Sequence, residues 1–117
     1  MDWTMNIKRG EIWLIDFNPT KGREQAGIRP ALIISVDYFN DSMANKIVAC
    51  PLTSKDKGIP LDVALLPPDG GIVKNSFIKC EDIRSLSKER LIEKWGDISR
   101  EKMDEVQKKL RLLLGLQ

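Results

Sequence analysis

Glycine and proline set the architecture open to this chain. Up to Gly96 they cut it into short β-branched and apolar segments, and only after Ser99 does an uninterrupted helical stripe appear. Residues 11–17 (EIWLIDF) read as a strand bounded by Gly10 and by Asn18-Pro19. Residues 18–28 contain Pro19, Gly22 and Gly27 and little that could pack, so they read as a loop. Residues 31–36 (ALIISV) form a near-continuous apolar run suited to a central strand, with Pro30 at its opening, where one missing N–H is tolerated. Residues 37–45 are polar, with room for one helical turn. Residues 46–53 (KIVACPLT) read as a third strand, in which Pro51 marks a bulge or an edge.

A charged loop, residues 54–60, leads to a fourth strand at residues 61–66. Pro67-Pro68-Asp69-Gly70-Gly71 is the strongest turn signal in the chain. Residues 76–83 (SFIKCEDI) alternate, with Phe77, Lys79, Glu81 and Ile83 on one face of an expected fifth strand. Residues 87–91 suit one helical turn capped by Ser87, and residues 91–95 a last short strand closed by Gly96. Ser99 is a good helix N-cap, and Met103, Val106, Leu110 and Leu113 follow at spacings of three and four, with Gly115 as terminator. The expected fold is mostly β with a C-terminal helix: five or six short strands in a small, strongly curved antiparallel sheet or barrel, covered by that helix. Its length, 117 residues, is that of a single domain, residues 1–117.

Composition narrows the chemistry. The chain contains no histidine, which excludes Ser-His and Cys-His catalysis, His-ligated zinc and two-histidine ribonuclease chemistry. Cys50 and Cys80 belong to no C-x-x-C motif, so no thiolate metal site or redox motif is expected. No metal or other cofactor is expected. The first six residues lack the charged-then-apolar pattern of a signal peptide, and the longest apolar runs are too short to cross a bilayer. These features point to a cytoplasmic protein with no membrane partner. The net charge is only +2, and cations nearly balance anions both before and after Gly58. Any nucleic-acid site must therefore be a local patch.

Candidate residues follow from position. Arg29 closes the loop and opens a buried strand, so its guanidinium projects from a sheet rim. A fixed arginine can bind phosphate in a fork and stabilise charge developing on it. The alternative is a rim salt bridge with Glu24 or Asp16. Thr53 ends the third strand, where it serves either a substrate or the next turn. Lys21, Arg23, Glu24 and Gln25 mix cations, a carboxylate and an amide in a way that can reach the phosphates and base edges of a single strand, or simply be solvated. Lys79, Glu81 and Asp82, followed by Arg84, place a carboxylate and a cation two apart on one face. That arrangement suits either acid–base work or cross-strand pairing. Trp13 and Trp95 are expected to pack.

The series Arg9-Gly10-Glu11-Ile12-Trp13, Asp16-Phe17-Asn18-Pro19 and then GREQAGIRPALIIS over residues 22–35 resembles the opening of the MazF/PemK (Kid) toxins. Residues 47–54 (IVACPLTS) and 76–91 (SFIKCEDIRSLSKERL) resemble later segments of the same family. The resemblance spans nearly the whole chain. It implies the CcdB/PemK-like toxin fold, a small SH3-like barrel with a C-terminal helix, assembled as a homodimer. It implies the toxin of a type II toxin–antitoxin pair, whose partner is a cognate antitoxin with a disordered acidic segment. The implied activity is metal-independent, sequence-specific cleavage of single-stranded RNA by attack of the ribose 2′-OH, leaving a 2′,3′-cyclic phosphate and a 5′-OH. By position, Arg29 and Thr53 match the family's catalytic arginine and threonine. Lys79 and Glu81 match an arginine and an acid that some members use as acid and base. Catalysis is thus expected from Arg29, Thr53 and Glu81, and substrate contacts from Lys21, Arg23, Glu24, Gln25, Ser54, Lys79, Asp82 and Arg84. Lysine at position 79 lacks the planar fork of arginine. Asp82 stands where glutamine is usual, so base preference is expected to differ from that of relatives. Two other readings stay open on the sequence. One is a non-catalytic gyrase poison of the CcdB type, against which the absence of a tryptophan beyond Trp95 counts. The other is a plain SH3-like interaction module.

Overall fold

The computed structural model describes residues 6–19, 22 and 27–117. Among these residues seven strands and two α-helices follow one another: β1 (Glu11–Asp16), β2 (Ile28–Ile33), α1 (Asp37–Asn40), β3 (Lys46–Thr53), β4 (Asp62–Leu65), β5 (Ser76–Lys79), β6 (Arg84–Ser87), β7 (Leu91–Asp97) and α2 (Arg100–Leu114). Every strand pairing is antiparallel, and the sheet runs β4-β5-β3-β2-β1-β7 with β6 added to β3.

The longest strand, β3, organises the sheet. One edge pairs with β2, and the other is divided between two partners. Lys46 to Ala49 pair with β6, and Leu52 and Thr53 pair with β5. Pro51, which has no N–H to donate, falls in the gap between those partners. The chain moves from one partner to the other through a single 3-10 turn at Cys80–Asp82, in which Ile83 N–H donates to Cys80 O. The single strand expected over residues 76–83 is therefore two strands with a turn between them. Alternation is a local pattern and does not show where a neighbouring strand runs out.

Other boundaries differ from expectation as well: β1, β2 and β4 end at Asp16, Ile33 and Leu65, short of the expected residues 17, 36 and 66, and the strands among the described residues number seven rather than five or six. Strand β2 begins at Ile28 rather than at residue 31, so Arg29 and Pro30 lie inside the ladder opposite Ile15 and Leu14. Pro30 is tolerated there because pairing with β3 begins only at Ala31, which leaves the other side of Pro30 without a ladder to supply. Strand β7 runs through Gly96 to Asp97 instead of stopping before it. Gly96 lies against the Gly70–Gly71 backbone, and a Cβ there would come within 2.8 Å of Gly70 C. Its role is close approach of two backbones, not termination.

The expected helix caps and terminator are present. Ser87 and Ser99 accept backbone N–H groups from Glu89 and Lys102 as caps, and Gly115 closes α2 at φ 68°. The apolar stripe of α2 covers one sheet face. Val106 and Leu110 are buried with Ile12, Leu32, Leu52 and Ile78, and Met103, Leu113 and Trp95 pack against them. Trp13, Ile15, Phe17, Ile33, Ile47 and Leu86 form a second apolar cluster from the alternate strand positions. Among the described residues, no helix is long and apolar enough to cross a membrane.

Candidate active site

Strand register brings Arg29 and Thr53 together. Ala31 lies opposite Pro51, and extending that antiparallel pairing by two residues puts Arg29 opposite Thr53. Arg29 is half-buried, and its Nη1 donates to Leu52 O at 3.3 Å, which holds the guanidinium over the end of β3. Thr53 is only 8% exposed, and its Oγ1 accepts the Lys55 N–H at 3.2 Å. That bond turns the chain out of the strand. It also leaves the hydroxyl proton of Thr53 for a second partner, because a hydroxyl has one donor and two acceptor positions.

Both residues line a cleft of about 470 Å³ together with Ile28, Pro30, Leu52, Ser54, Lys55, Lys57, Lys74 and Ser76. Arg29 and the three lysines surround it with four cations, and among the described residues no carboxylate lines it. The small net charge of the chain is thus concentrated locally. Of the residues expected from sequence, the cleft brings together Arg29, Thr53 and Ser54. It also contains Lys55, Lys57 and Lys74, which sequence reasoning does not single out. The usable signal is the β3–β5 pairing. With Thr53 opposite Phe77, the chain leaving Thr53 and the chain entering Phe77 emerge at the same end of the ladder.

Lys79 and Glu81 lie elsewhere. Lys79 is 3% exposed, and its Nζ donates to Glu81 Oε2 at 2.8 Å and stands 3.8 Å from Asp62 Oδ2. Strand pairing places Asp62 directly opposite Lys79, and the turn after Lys79 swings Glu81 back onto the ammonium. Neither Lys79, Glu81 nor Asp82 is among the residues lining the cleft. The Arg84 guanidinium lies 5.8 Å over the Phe17 ring. Lys21, Arg23, Glu24 and Gln25 lie outside the described residues. The base of their loop is tied by Gly27 N–H donating to Asn18 Oδ1 and Phe17 N–H donating to Gly27 O.

The buried cluster has a defined charge state. Burial, reinforced by the facing Glu81 carboxylate, pushes the Asp62 carboxyl up to about 6. Burial also works against an ionised Glu81, but the neighbouring Asp62 carboxyl and the hydrogen bond from Lys79 outweigh it and hold Glu81 below its ordinary value. For Lys79, burial opposes the charge, while the Glu81 bond and the two carboxylates keep its pKa above the ordinary value. A carboxyl raised on folding contributes stability that is fully present below its unfolded pKa of 3.8 and is lost as pH rises through about 6. Asp62→Asn, which leaves a neutral donor beside Glu81, is therefore expected to stabilise the fold at pH 8 by on the order of 1–2 kcal/mol and to gain little at pH 4. Thermal melts at the two pH values check this, and an equal change at both would contradict it.

Residues 8–114 match the family of PemK-like, MazF-like toxins of type II toxin–antitoxin systems. The chain belongs to that family. It is 40% identical over 111 residues to the endoribonuclease MazF of Staphylococcus epidermidis, covering 94% of this chain and 92% of that one. The crystal structure of MazF from Deinococcus radiodurans superposes with a TM-score of 0.84 at 33% identity, covering 96% of this chain and 99% of the other. A MazE–MazF crystal structure from the same organism superposes with a TM-score of 0.78 at 32% identity, covering 97% and 99%. The mostly β sheet with its C-terminal helix is the fold of PemK/MazF toxins. In this PemK/MazF chain, the two positions that resemble the catalytic arginine and threonine share one cleft, and the two that resemble the acid and base of some members are bound to each other outside it.

Proposed function

We propose that this PemK/MazF-family protein is the toxin of a type II toxin–antitoxin pair and cleaves single-stranded RNA at short specific sequences. The observation that carries this reading is the shared cleft, lined by Arg29 and Thr53 together with three lysines. Kinship with a MazF endoribonuclease supports the substrate class. The ribose 2′-OH gives up its proton and attacks the adjacent phosphorus, a P–O bond forms, the bond to the 5′-oxygen of the next nucleotide breaks, and that oxygen takes up a proton and leaves as a 5′-OH, so that no proton is gained or lost overall. The other product end is a 2′,3′-cyclic phosphate.

Arg29 donates to the oxygens on which negative charge accumulates, and Leu52 O sets the direction of the guanidinium. Thr53 accepts from Lys55 N–H and donates its own proton to the scissile phosphate. Charge stabilisation falls to Arg29 in the cleft, and we read the reaction as metal-independent, as the family resemblance implies. Glu81 is engaged by Lys79 and lowered in pKa, and its part in this scheme is to hold the end of β5. We read the sheet as an SH3-like barrel, with β3 sharing its outer edge between β5 and β6. Because the Deinococcus relative was crystallised as MazE–MazF, we propose an antitoxin partner of that kind, and from the family resemblance a homodimeric toxin with a cytoplasmic site of action.

Long single-stranded RNA incubated with the purified protein in EDTA is expected to give discrete fragments with 5′-OH and 2′,3′-cyclic phosphate ends. Intact RNA, or cleavage only after a divalent ion is restored, would overturn the reading.

A further inference from the structure

The cleft holds more positive charge than one scissile phosphate requires. Arg29 alone provides the fork aimed at the reacting group, and Lys55, Lys57 and Lys74 remain. We infer that these three lysines form a separate subsite for the RNA backbone, gripping phosphates next to the scissile one without reading any base. This inference rests on the RNA-cleaving function proposed above.

Topology explains how the subsite is built. Lys55 and Lys57 lie in the loop that leaves β3, and Lys74 lies in the segment that enters β5. The antiparallel Thr53–Phe77 pair places those two segments side by side. The loop between β3 and β4 is shaped from within. Thr53 Oγ1 accepts Lys55 N–H, and Asp56 Oδ1 accepts Gly58 N–H at 2.9 Å. The second bond turns the carboxylate of Asp56 into its own loop, and Asp56 does not line the cleft. All three lysines are exposed. The ion pairs among the described residues involve Lys79, Lys94 and Lys102, and none involves these three. Like charges brought this close repel one another unless a polyanion lies between them.

Lysine suits the task. Its ammonium is a point charge on a flexible stem, so it follows a phosphate along a mobile strand but cannot impose the planar geometry that a base edge requires. Phosphate contacts fix register and affinity and carry no sequence information. The subsite should therefore govern how tightly RNA binds and how steeply salt weakens it, while the cleavage sequence is set elsewhere.

The test measures binding of a short fluorescein-labelled 2′-O-methyl RNA of mixed sequence, which cannot be cut, over a range of salt concentrations. Lys57→Gln combined with Lys74→Gln is compared with the wild type and with a control carrying Lys46→Gln and Lys108→Gln, two exposed lysines away from the cleft. The plot of log affinity against log salt should be shallower by about 1.4 for the cleft variant, at about 0.7 for each phosphate of a single strand that is no longer neutralised, and unchanged for the control. The 5′ ends of RNA cut by the cleft variant should map to the wild-type sequence. An unchanged slope, an equal change in the control or a changed cleavage sequence overturns the inference while the proposed function stands. A wild-type protein that neither binds nor cuts RNA overturns both.

Discussion

Arg29→Ala is expected to lower the rate of RNA cleavage by about 10²–10³-fold, the usual cost of removing one preorganised donor from developing transition-state charge. The effect should appear in the cleavage step, with RNA binding changed far less, because three lysines still line the cleft. Arg29→Lys should recover only part of the loss. It restores the charge but not the fork, and it is less able to keep the hold on Leu52 O that fixes the direction of the guanidinium. Arg29 is half-buried at the rim of β2, so both variants should melt close to the wild type. Single-turnover cleavage rates alongside thermal melts separate chemistry from folding. A well-folded Arg29→Ala variant that cuts at the wild-type rate would remove Arg29 from the mechanism.

Gly71→Ala is expected to be the most damaging single methyl addition among the described glycines. Gly71 has φ +76°, a conformation that costs a residue with a Cβ roughly 1–2 kcal/mol. The added Cβ would also sit 2.1 Å from Trp95 O and 2.7 Å from Trp95 C. Those atoms are the backbone of β7, which is itself paired with β1, so the obstruction cannot rotate away as a side chain would. Overpacking of this kind adds about 1–3 kcal/mol, giving a combined loss of roughly 3 kcal/mol or more. For a domain of this size that corresponds to a fall in Tm of about 10 °C. Gly58→Ala is the comparison: its φ of +66° is similar, but nothing lies within 4 Å of the added atom. It should lose only the conformational part. Chemical denaturation of both variants measures the difference, and equal losses would show that φ alone, not the clash with Trp95, is responsible.

The approach of Gly71 to Trp95 shows why parts of this fold are hidden in the sequence. Pro67-Pro68-Asp69-Gly70-Gly71 announces a turn through its residue types, and a turn is there. What that turn packs against is not announced, because Trp95 and Gly96 are distant in the chain and nothing local marks them as its neighbours. Local pattern therefore makes Gly96 a strand end, although it lies inside β7.

The same distinction applies to the candidate site. Arg29 and Thr53 stand out because each closes or opens a strand beside a polar loop, and both fall in segments that resemble one toxin family. Lys55, Lys57 and Lys74 cannot be grouped without knowing that β3 pairs with β5. Asp62 gives no signal, since a lone acid at the start of a strand is ordinary. It matters because it lies opposite Lys79 and within reach of Glu81.

By itself the sequence determined the β-rich order of elements, the capped C-terminal helix with its apolar stripe, the exclusion of imidazole chemistry and the membership of a toxin family. Each of these is written in residues that are neighbours in the chain, through turn preference, periodicity, capping or motif spacing. Only the tertiary structure decided that β5 stops at Lys79, that Lys79 is buried between two carboxylates, and that four cations from three segments surround one cleft. The physical reason is that strand pairing joins residues far apart in sequence. Burial, charge state and the composition of a cleft are properties of the groups brought together, not of any one of them.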